Sequence, residues 1–365
     1  MRSSLRKRII AIFLVMILLL PLVFRVSAQE ITTPPTETAL PSEATMPPET
    51  APTEAETVPA TEAPTEPEPT CPAIQGADPD SAIYKICDNL AQNMNARHLF
   101  VYHSGKDQML YSRTTGNGKL FPASITKLFS TYVALLYLDP ETIITAGDEL
   151  DLVHEGSSLA HITKGSRLRV KTIIEGMMLP SGNDAAMVLA AAAGRVIAQD
   201  EQLPAVDAVQ VFVDEMNRQA DALGFEKTHF ANPDGWHIGS HYTCMNDLVR
   251  ISELVLSNKT ICQYMGLSKD STHFLSGQSV VWENTNLLLF REGAYYRGDA
   301  VGMKTGYTRP AGYCLMTAFT FEEGEIVIGL FGYTAKYDRF LDAIYLIKAV
   351  KEQLRLEQQS AEGIG

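Results

Sequence analysis

Residues 29–70 are built almost wholly of Thr, Pro, Glu and Ala, with ten prolines, nine glutamates, no basic residue, no glycine and no aromatic ring. Such a tract buries too little apolar surface to offset the entropy of ordering it, so it reads as a disordered linker. Whatever fold the chain has must therefore be made downstream, by residues 71–365. Proline keeps the tract extended and like charges repel along it. At about 3.1 Å per residue it reaches on the order of 130 Å. A stalk holding a folded domain away from a membrane and a plain solubilising spacer both fit this composition.

Upstream, residues 1–28 read as a targeting segment. Arg2, Arg6, Lys7 and Arg8 precede an apolar run from Ile9 to Phe24, and Val26-Ser27-Ala28 places small residues where a signal peptidase cuts. The run is shorter than the roughly 20 residues of a spanning helix, which favours a cleaved signal peptide. Arg25, inside the cleavage region, keeps a retained N-terminal membrane anchor as the alternative. No cysteine near the cleavage site offers a lipid attachment point. Export follows on either reading. The net charge of −13 is the sum of five basic residues in 1–28, nine acids in 29–70 and about −9 in the remainder, a distribution that gives no sign of nucleic-acid binding.

Five cysteines, Cys71, Cys87, Cys244, Cys262 and Cys314, are too few for a disulfide scaffold in a chain this long. Cys71 with Cys87, or Cys244 with Cys262, could bridge, and spacing decides neither. Cys314 sits in an apolar strand and reads as a buried thiol.

The folded part carries its chemistry in three short motifs. In Phe121-Pro122-Ala123-Ser124-Ile125-Thr126-Lys127, Pro122 suits the first turn of a helix, so Ser124 and Lys127 lie one turn apart on one face. A serine hydroxyl needs a base to become a nucleophile, and a lysine amine serves when burial or a second cation depresses its pKa. That spacing alone is weak, since Ser4 and Lys7 share it. Ser181-Gly182-Asn183 and Lys304-Thr305-Gly306 follow downstream, in the order used by serine acyl-transfer enzymes that react with penicillin. Taken singly, the second would be a helix cap and the third a strand end.

The surrounding pattern predicts a helix over Asp80–Ala96 and a hairpin of His98–His103 with Gln108–Ser112. A helical middle follows, over Val170–Leu179, Asp184–Ala198, Ala205–Leu223 and Asn246–Leu256. Strands return at Ala300–Lys304, Gly312–Phe321 and Glu325–Tyr333, and an amphipathic helix runs from Asp338 to Leu356. Strands at both ends with helices between predict an α+β domain: an antiparallel sheet flanked by terminal helices, plus a helical lobe. The catalytic domain is expected over 71–358 and a flexible tail over 359–365.

Together with Leu179-Pro180-Ser181-Gly182-Asn183-Asp184-Ala185-Ala186, Phe230-Ala231-Asn232-Pro233-Asp234-Gly235 and Gly302-Met303-Lys304-Thr305-Gly306-Tyr307-Thr308, the Ser124 stretch resembles the D-alanyl-D-alanine carboxypeptidases, the low-molecular-mass penicillin-binding proteins, from about residue 80 to 350. The resemblance implies the β-lactamase/transpeptidase-like fold and removal of the terminal D-alanine from peptidoglycan stem peptides, with β-lactams as covalent inhibitors. Fuller members add a β-rich C-terminal domain and a membrane-binding tail. This chain ends after its last helix, so attachment is expected only through the N-terminus.

From residue types, Ser124 is the nucleophile, Lys127 its base, and Lys304 the second cation that keeps Lys127 neutral. The resemblance further implies that Ser181 relays a proton to the leaving group and that Asn183 holds Lys127 and a substrate amide. It places Lys304 and Thr305 on the strand along which substrate lies. Gly306 allows close backbone approach, and the N–H groups of Ser124 and Tyr307 form the oxyanion site. Arg339 stands where the family places an arginine for the substrate carboxylate, with Arg297 and Arg309 also near in sequence and a surface salt bridge as the bland alternative.

No cofactor is expected. His237 and His241 are four apart but have no third ligand beside them, so no metal is assigned. Trp236 and Trp282 read as core or groove walls. A β-lactamase on the same fold would need a second base, for which Asp200, Glu201, Asp207, Asp214 and Glu215 are the acids at a plausible distance. Periodicity turns Asp207, Asp214 and Glu215 to solvent, and Asp200 and Glu201 sit in a polar connection. A non-catalytic wall-binding protein is the other alternative, opposed by the presence of every reactive residue.

Overall fold

The computed structural model describes residues 76–361 and Gly363. The signal segment, the linker and Cys71 lie outside the described residues. The first helix, α1 (Ala82–Ala91), starts where the Ser81 side chain accepts from the Tyr84 N–H, and it stops short of the expected Ala96. A hairpin follows as expected: β1 (His98–His103) and β2 (Gln108–Arg113), with Asp107 at φ 46° closing the turn. After α2 (Thr126–Ala134) come two short strands, β3 (Ile143–Thr145) and β4 (Arg167–Arg169), which pair with each other.

The helical middle is α3 (Val170–Met178), α4 (Asn183–Ala198), α5 (Ala205–Ala222) and α6 (Met245–Leu256), each within two residues of its expected bounds. Beyond it lie α7 (Lys259–Met265) and a hairpin, β5 (Lys269–His273) with β6 (Ser279–Glu283), none of which the pattern foretold. The chain closes through β7 (Ala300–Thr308), β8 (Gly312–Phe321), β9 (Gly324–Tyr333) and α8 (Asp338–Ala361). α8 thus extends past residue 358 into the stretch expected as a tail.

β2, β1, β9, β8 and β7 form one antiparallel sheet in that order, so the two ends of the chain's folded part meet in the pairing of β1 with β9. Both faces are covered, which is why β1 is buried at every position and shows no polar alternation. Leu99, Val101, Leu315, Ile328 and Leu330 face α1 and α8, which contribute Ile83, Cys87, Phe340, Leu346, Ile347 and Val350. Phe100, Tyr102, Met303, Met316 and Val327 face the helical lobe, where α2 and α4 are central. α8 buries positions 340, 343, 346, 347, 350 and 354, the stripe of an amphipathic helix.

Cys262 is a thiol whose Sγ lies against the carbonyls of Val255 and Leu256, so it does not bridge to Cys244. Cys314 is a buried thiol, as expected, and burial pushes it up to about 11. No helix among the described residues is long and apolar enough to cross a membrane. Leu346→Ala removes a side chain from the layer between sheet and α8. It should lower stability by roughly 2–5 kcal/mol in urea unfolding, with the unfolding slope unchanged.

Candidate active site

The serine sits on a turn that the sequence reading simplified. Ala123–Ile125 form a 3-10 turn ahead of α2, and Ala123 takes φ 49°, a conformation that an alanine adopts only where its surroundings enforce it. Two glycines press on that turn. A Cβ on Gly235 would lie 1.9 Å from the Ala123 carbonyl oxygen, and one on Gly306 would lie 3.0 Å from both the Ala123 Cβ and the Pro122 oxygen. Gly235 also has φ +85°. Asn232 fixes the Gly235 loop, accepting from Gly235 N at 2.8 Å and donating to the Trp236 carbonyl at 2.8 Å.

Lys127, the second residue of α2, has no exposed surface. Its Nζ contacts Ser124 Oγ at 3.1 Å, Asn183 Oδ1 at 2.7 Å and the Asp234 backbone oxygen at 2.8 Å. The last two can only accept, so Nζ donates to both. A neutral amine then has one lone pair left, and it faces the serine hydroxyl. The Asn183 amide is oriented for this by donating its Nδ2 to Ser157 Oγ at 2.9 Å.

Burial pulls the Lys127 ammonium down to about 8, while the carboxylates of Asp234 and Asp184 pull it back up. Lys304 was expected to be the depressing cation, but desolvation has that role. Lys304 is itself fully buried, and burial, then Lys127, then Arg339 push it well below the ordinary lysine range.

A cleft of ≈ 490 Å³ gathers Ser124, Ser181, Asn183, Thr305, Gly306, Tyr307 and Arg339 along its walls. Ser181 occupies the turn before α4 at φ 65°. Lys304 lies beneath the wall, its Nζ donating to the Thr305 carbonyl at 3.1 Å. Tyr307 is 54% exposed and stacks on Tyr313 with ring centroids 4.3 Å apart. Arg339 is no surface ion pair. It is 4% exposed, its guanidinium lies against the rings of Tyr313 and Phe340, and its Nε and Nη1 have no partner among the described residues. Arg297, by contrast, is held by Asp299, and Arg309 is exposed.

Several residues beyond those assigned a chemical role from sequence shape the site, and Thr285 and Ser157 among them carried no sequence signal. Thr285 joins two motifs: its Oγ1 accepts from Thr305 Oγ1 at 2.6 Å and its N–H reaches the Leu179 carbonyl at 3.2 Å. Asp184 ties down the loop bearing Ser157, accepting from the N–H groups of Ala160 at 2.8 Å and Ile162 at 2.9 Å. Trp236 lines the cleft and stacks on His154, whereas Trp282 is core and donates to the Ala160 carbonyl. His241 is buried and accepts from Ala231 N at 3.1 Å through Nδ1, so it is neutral and offers Nε2–H to Thr126 Oγ1 at 2.8 Å. The described residues hold no cluster of His, Cys, Asp or Glu that would bind a metal.

Of the five acids considered as a second base, none lines the cleft. Asp200, Glu201, Asp207 and Asp214 are exposed, as expected, but Glu215 is not. It is buried and bound by Tyr137, Arg218 and Gln219, and Arg218 above all holds its carboxyl down at about 2.

This arrangement has counterparts. Residues 87–331 match the family model for D-alanyl-D-alanine carboxypeptidases. The chain belongs to that carboxypeptidase family. Among relatives, the D-alanyl-D-alanine carboxypeptidase of Streptomyces sp. strain K15 is 30% identical over 70% of this chain and 84% of its own length. The D-alanyl-D-alanine carboxypeptidase DacF of Bacillus subtilis is 28% identical over 65% of this chain, a match that spans 59% of that relative's length. The crystal structure of the Streptomyces K15 DD-transpeptidase superposes with a TM-score of 0.62 at 26% identity, covering 71% of this chain and 97% of that one. The DD-peptidase fold of those structures is the α+β arrangement described above.

Within this family fold, Gly235→Ala forces a Cβ into the Ala123 carbonyl. It should slow covalent labelling by a fluorescent penicillin at least about tenfold while costing roughly 1–3 kcal/mol of stability, both read on the same preparation.

Proposed function

We propose that the protein is an exported serine D-Ala-D-Ala carboxypeptidase that trims peptidoglycan stem peptides outside the cytoplasmic membrane. On this reading residues 1–28 direct export or anchor the chain, 29–70 form the linker, and the catalytic domain runs from 71 to the end of α8 at Ala361. The observation that carries it is the Lys127 amine, buried, committed as donor to two carbonyl oxygens and facing the Ser124 hydroxyl at 3.1 Å.

Neutral Lys127 takes the Ser124 proton as Oγ adds to the carbonyl carbon of the penultimate D-alanine. The N–H groups of Ser124 and Tyr307 hold the oxyanion. As the C–N bond breaks, the proton reaches the leaving D-alanine amine through Ser181, and an ester on Ser124 remains. Water, deprotonated by Lys127, then releases the shortened peptide. Arg339 receives the terminal carboxylate, because its guanidinium lines the cleft and its buried Nε and Nη1 have no partner among the described residues, and Lys304 adds charge from below. Arrival of that carboxylate favours the proton on Lys304, which leaves Lys127 as the free base.

Because the Streptomyces K15 structure is described as a DD-transpeptidase, transfer of the acyl group to an amine is the second reading. A β-lactamase has less support: Asp234 is the only acid among the described residues lining the cleft, and its Oδ1 already accepts from Trp236 N.

A defined pentapeptide ending in D-Ala-D-Ala, digested with and without an added amine and read by mass, tests the proposal. The expected product is the tetrapeptide, and Ser124→Ala and Lys127→Ala should each abolish it. Intact pentapeptide after incubation with native protein would sink the reading, and an amine adduct in excess of tetrapeptide would turn it into transpeptidation. Arg339→Ala should raise KM for the peptide by roughly tenfold or more, given charge-assisted pairing of about 1.5–3 kcal/mol. Penicillin should label Ser124 and be released slowly. Rapid turnover of a chromogenic cephalosporin would instead establish a β-lactamase.

A further inference from the structure

One buried carboxylate at the site has no part in the steps above. Asp234 has no exposed surface, and its side chain is locked: Oδ1 accepts from Trp236 N at 2.9 Å in a turn closed on itself, and Oδ2 is buried with no partner among the described residues. The same residue's backbone oxygen is one of the two acceptors that bind Lys127 Nζ. It cannot swing toward the lysine without losing the Trp236 contact, so it acts through its field.

The charges around it define what that field does. Lys127 on α2, Lys304 on β7 and Arg339 on α8 are three buried bases, and the buried acids that act on Lys127 are Asp234 and Asp184. His241 also feels Lys127, but burial keeps it neutral, down at about 3. Asp184 already spends both its oxygens on backbone N–H groups of Ala160, Ile162 and Ala185. Asp234, with one oxygen uncommitted, is the less screened of the two acids.

We propose that Asp234 is a positioning residue whose locked carboxylate is the counter-charge that sets the pH at which Lys127 becomes a free base. The inference rests on the reading of Lys127 as the base for Ser124. The direction follows from electrostatics: a nearby negative charge stabilises the ammonium, so its removal lets Lys127 lose its proton at lower pH. Burial lowers Lys127 and Asp234 is the first opposing influence on it, which agrees in sign. Without Asp234 the base would be free further into the acid range, with less basicity to draw the serine proton.

The test is the rate of penicillin acylation of the native protein and of Asp234→Asn, followed from about pH 5 to 10. Asparagine keeps the size and the acceptor for Trp236 N and removes the charge, with an NH2 group in the place of Oδ2. The acidic limb of the Asn variant should move down by about one pH unit, so that on that limb its rate, relative to its own plateau, rises roughly tenfold. Asp234→Ser, which can also accept from Trp236 N, should move the limb the same way and serves if the Asn variant does not fold. A limb that stays in place in a folded variant overturns the proposal, whether the plateau is kept or lowered, because a purely structural role changes only the plateau. Failure of native protein to acylate at any pH would instead contradict the proposed function.

Discussion

The site depends on keeping one lysine dry. Lys127 lies where the Ser124 turn, the start of α4 and the Asn232–Trp236 loop meet, and each contributes one contact to its Nζ. An ammonium without solvent is costly unless paired, and here its contacts are two neutral carbonyl oxygens and a hydroxyl rather than a carboxylate. Those contacts suit an amine as well as an ammonium, so desolvation is converted into basicity close to neutral pH. The sheet supplies the other half of the arrangement. β7 brings Gly306 against the serine turn so closely that no larger residue fits without displacing it.

The backbone is strained at the same place. Ala123 and Ser181 both hold positive φ without being glycine, one beside the nucleophile and one in the second motif. The lobe and sheet that enforce these conformations are packed on both sides, with the Phe100 face of the sheet closed by helices and the Leu99 face by α1 and α8. Strain of this kind persists only where packing over-determines it. The backbone beside Ser124 and at Ser181 is therefore set by packing, as expected of a site that works by positioning and preorganised charge.

Much of this was legible in the sequence because the informative patterns are local. The hairpin of β1 and β2, the stripe of α8 and the bounds of α3 to α6 follow from periodicity and punctuation within a dozen or so residues. The three motifs were legible as company for one another, and Asn183 does meet Lys127. What was not legible is what arises only in three dimensions. Thr285 lies in an Asn-Thr-Asn stretch that looks like any loop, and Ser157 is bound to Asn183 across 26 positions. Glu215 lies next to the exposed Asp214 on α5, and its partner Tyr137 reaches it from beyond the end of α2. The cause of the depressed Lys127 was misassigned for the same reason: sequence can list cations, but it cannot show which groups have lost their water.

The account stands on the protonation of Lys127, and the most direct measurement is its titration in the native protein by NMR, through the 13Cε resonance assigned with Lys127→Arg. A midpoint near 8 is predicted, as burial places it. A midpoint near 10.4, the value of a solvated lysine, would show that the amine is not a free base where the enzyme must work, and would contradict the account.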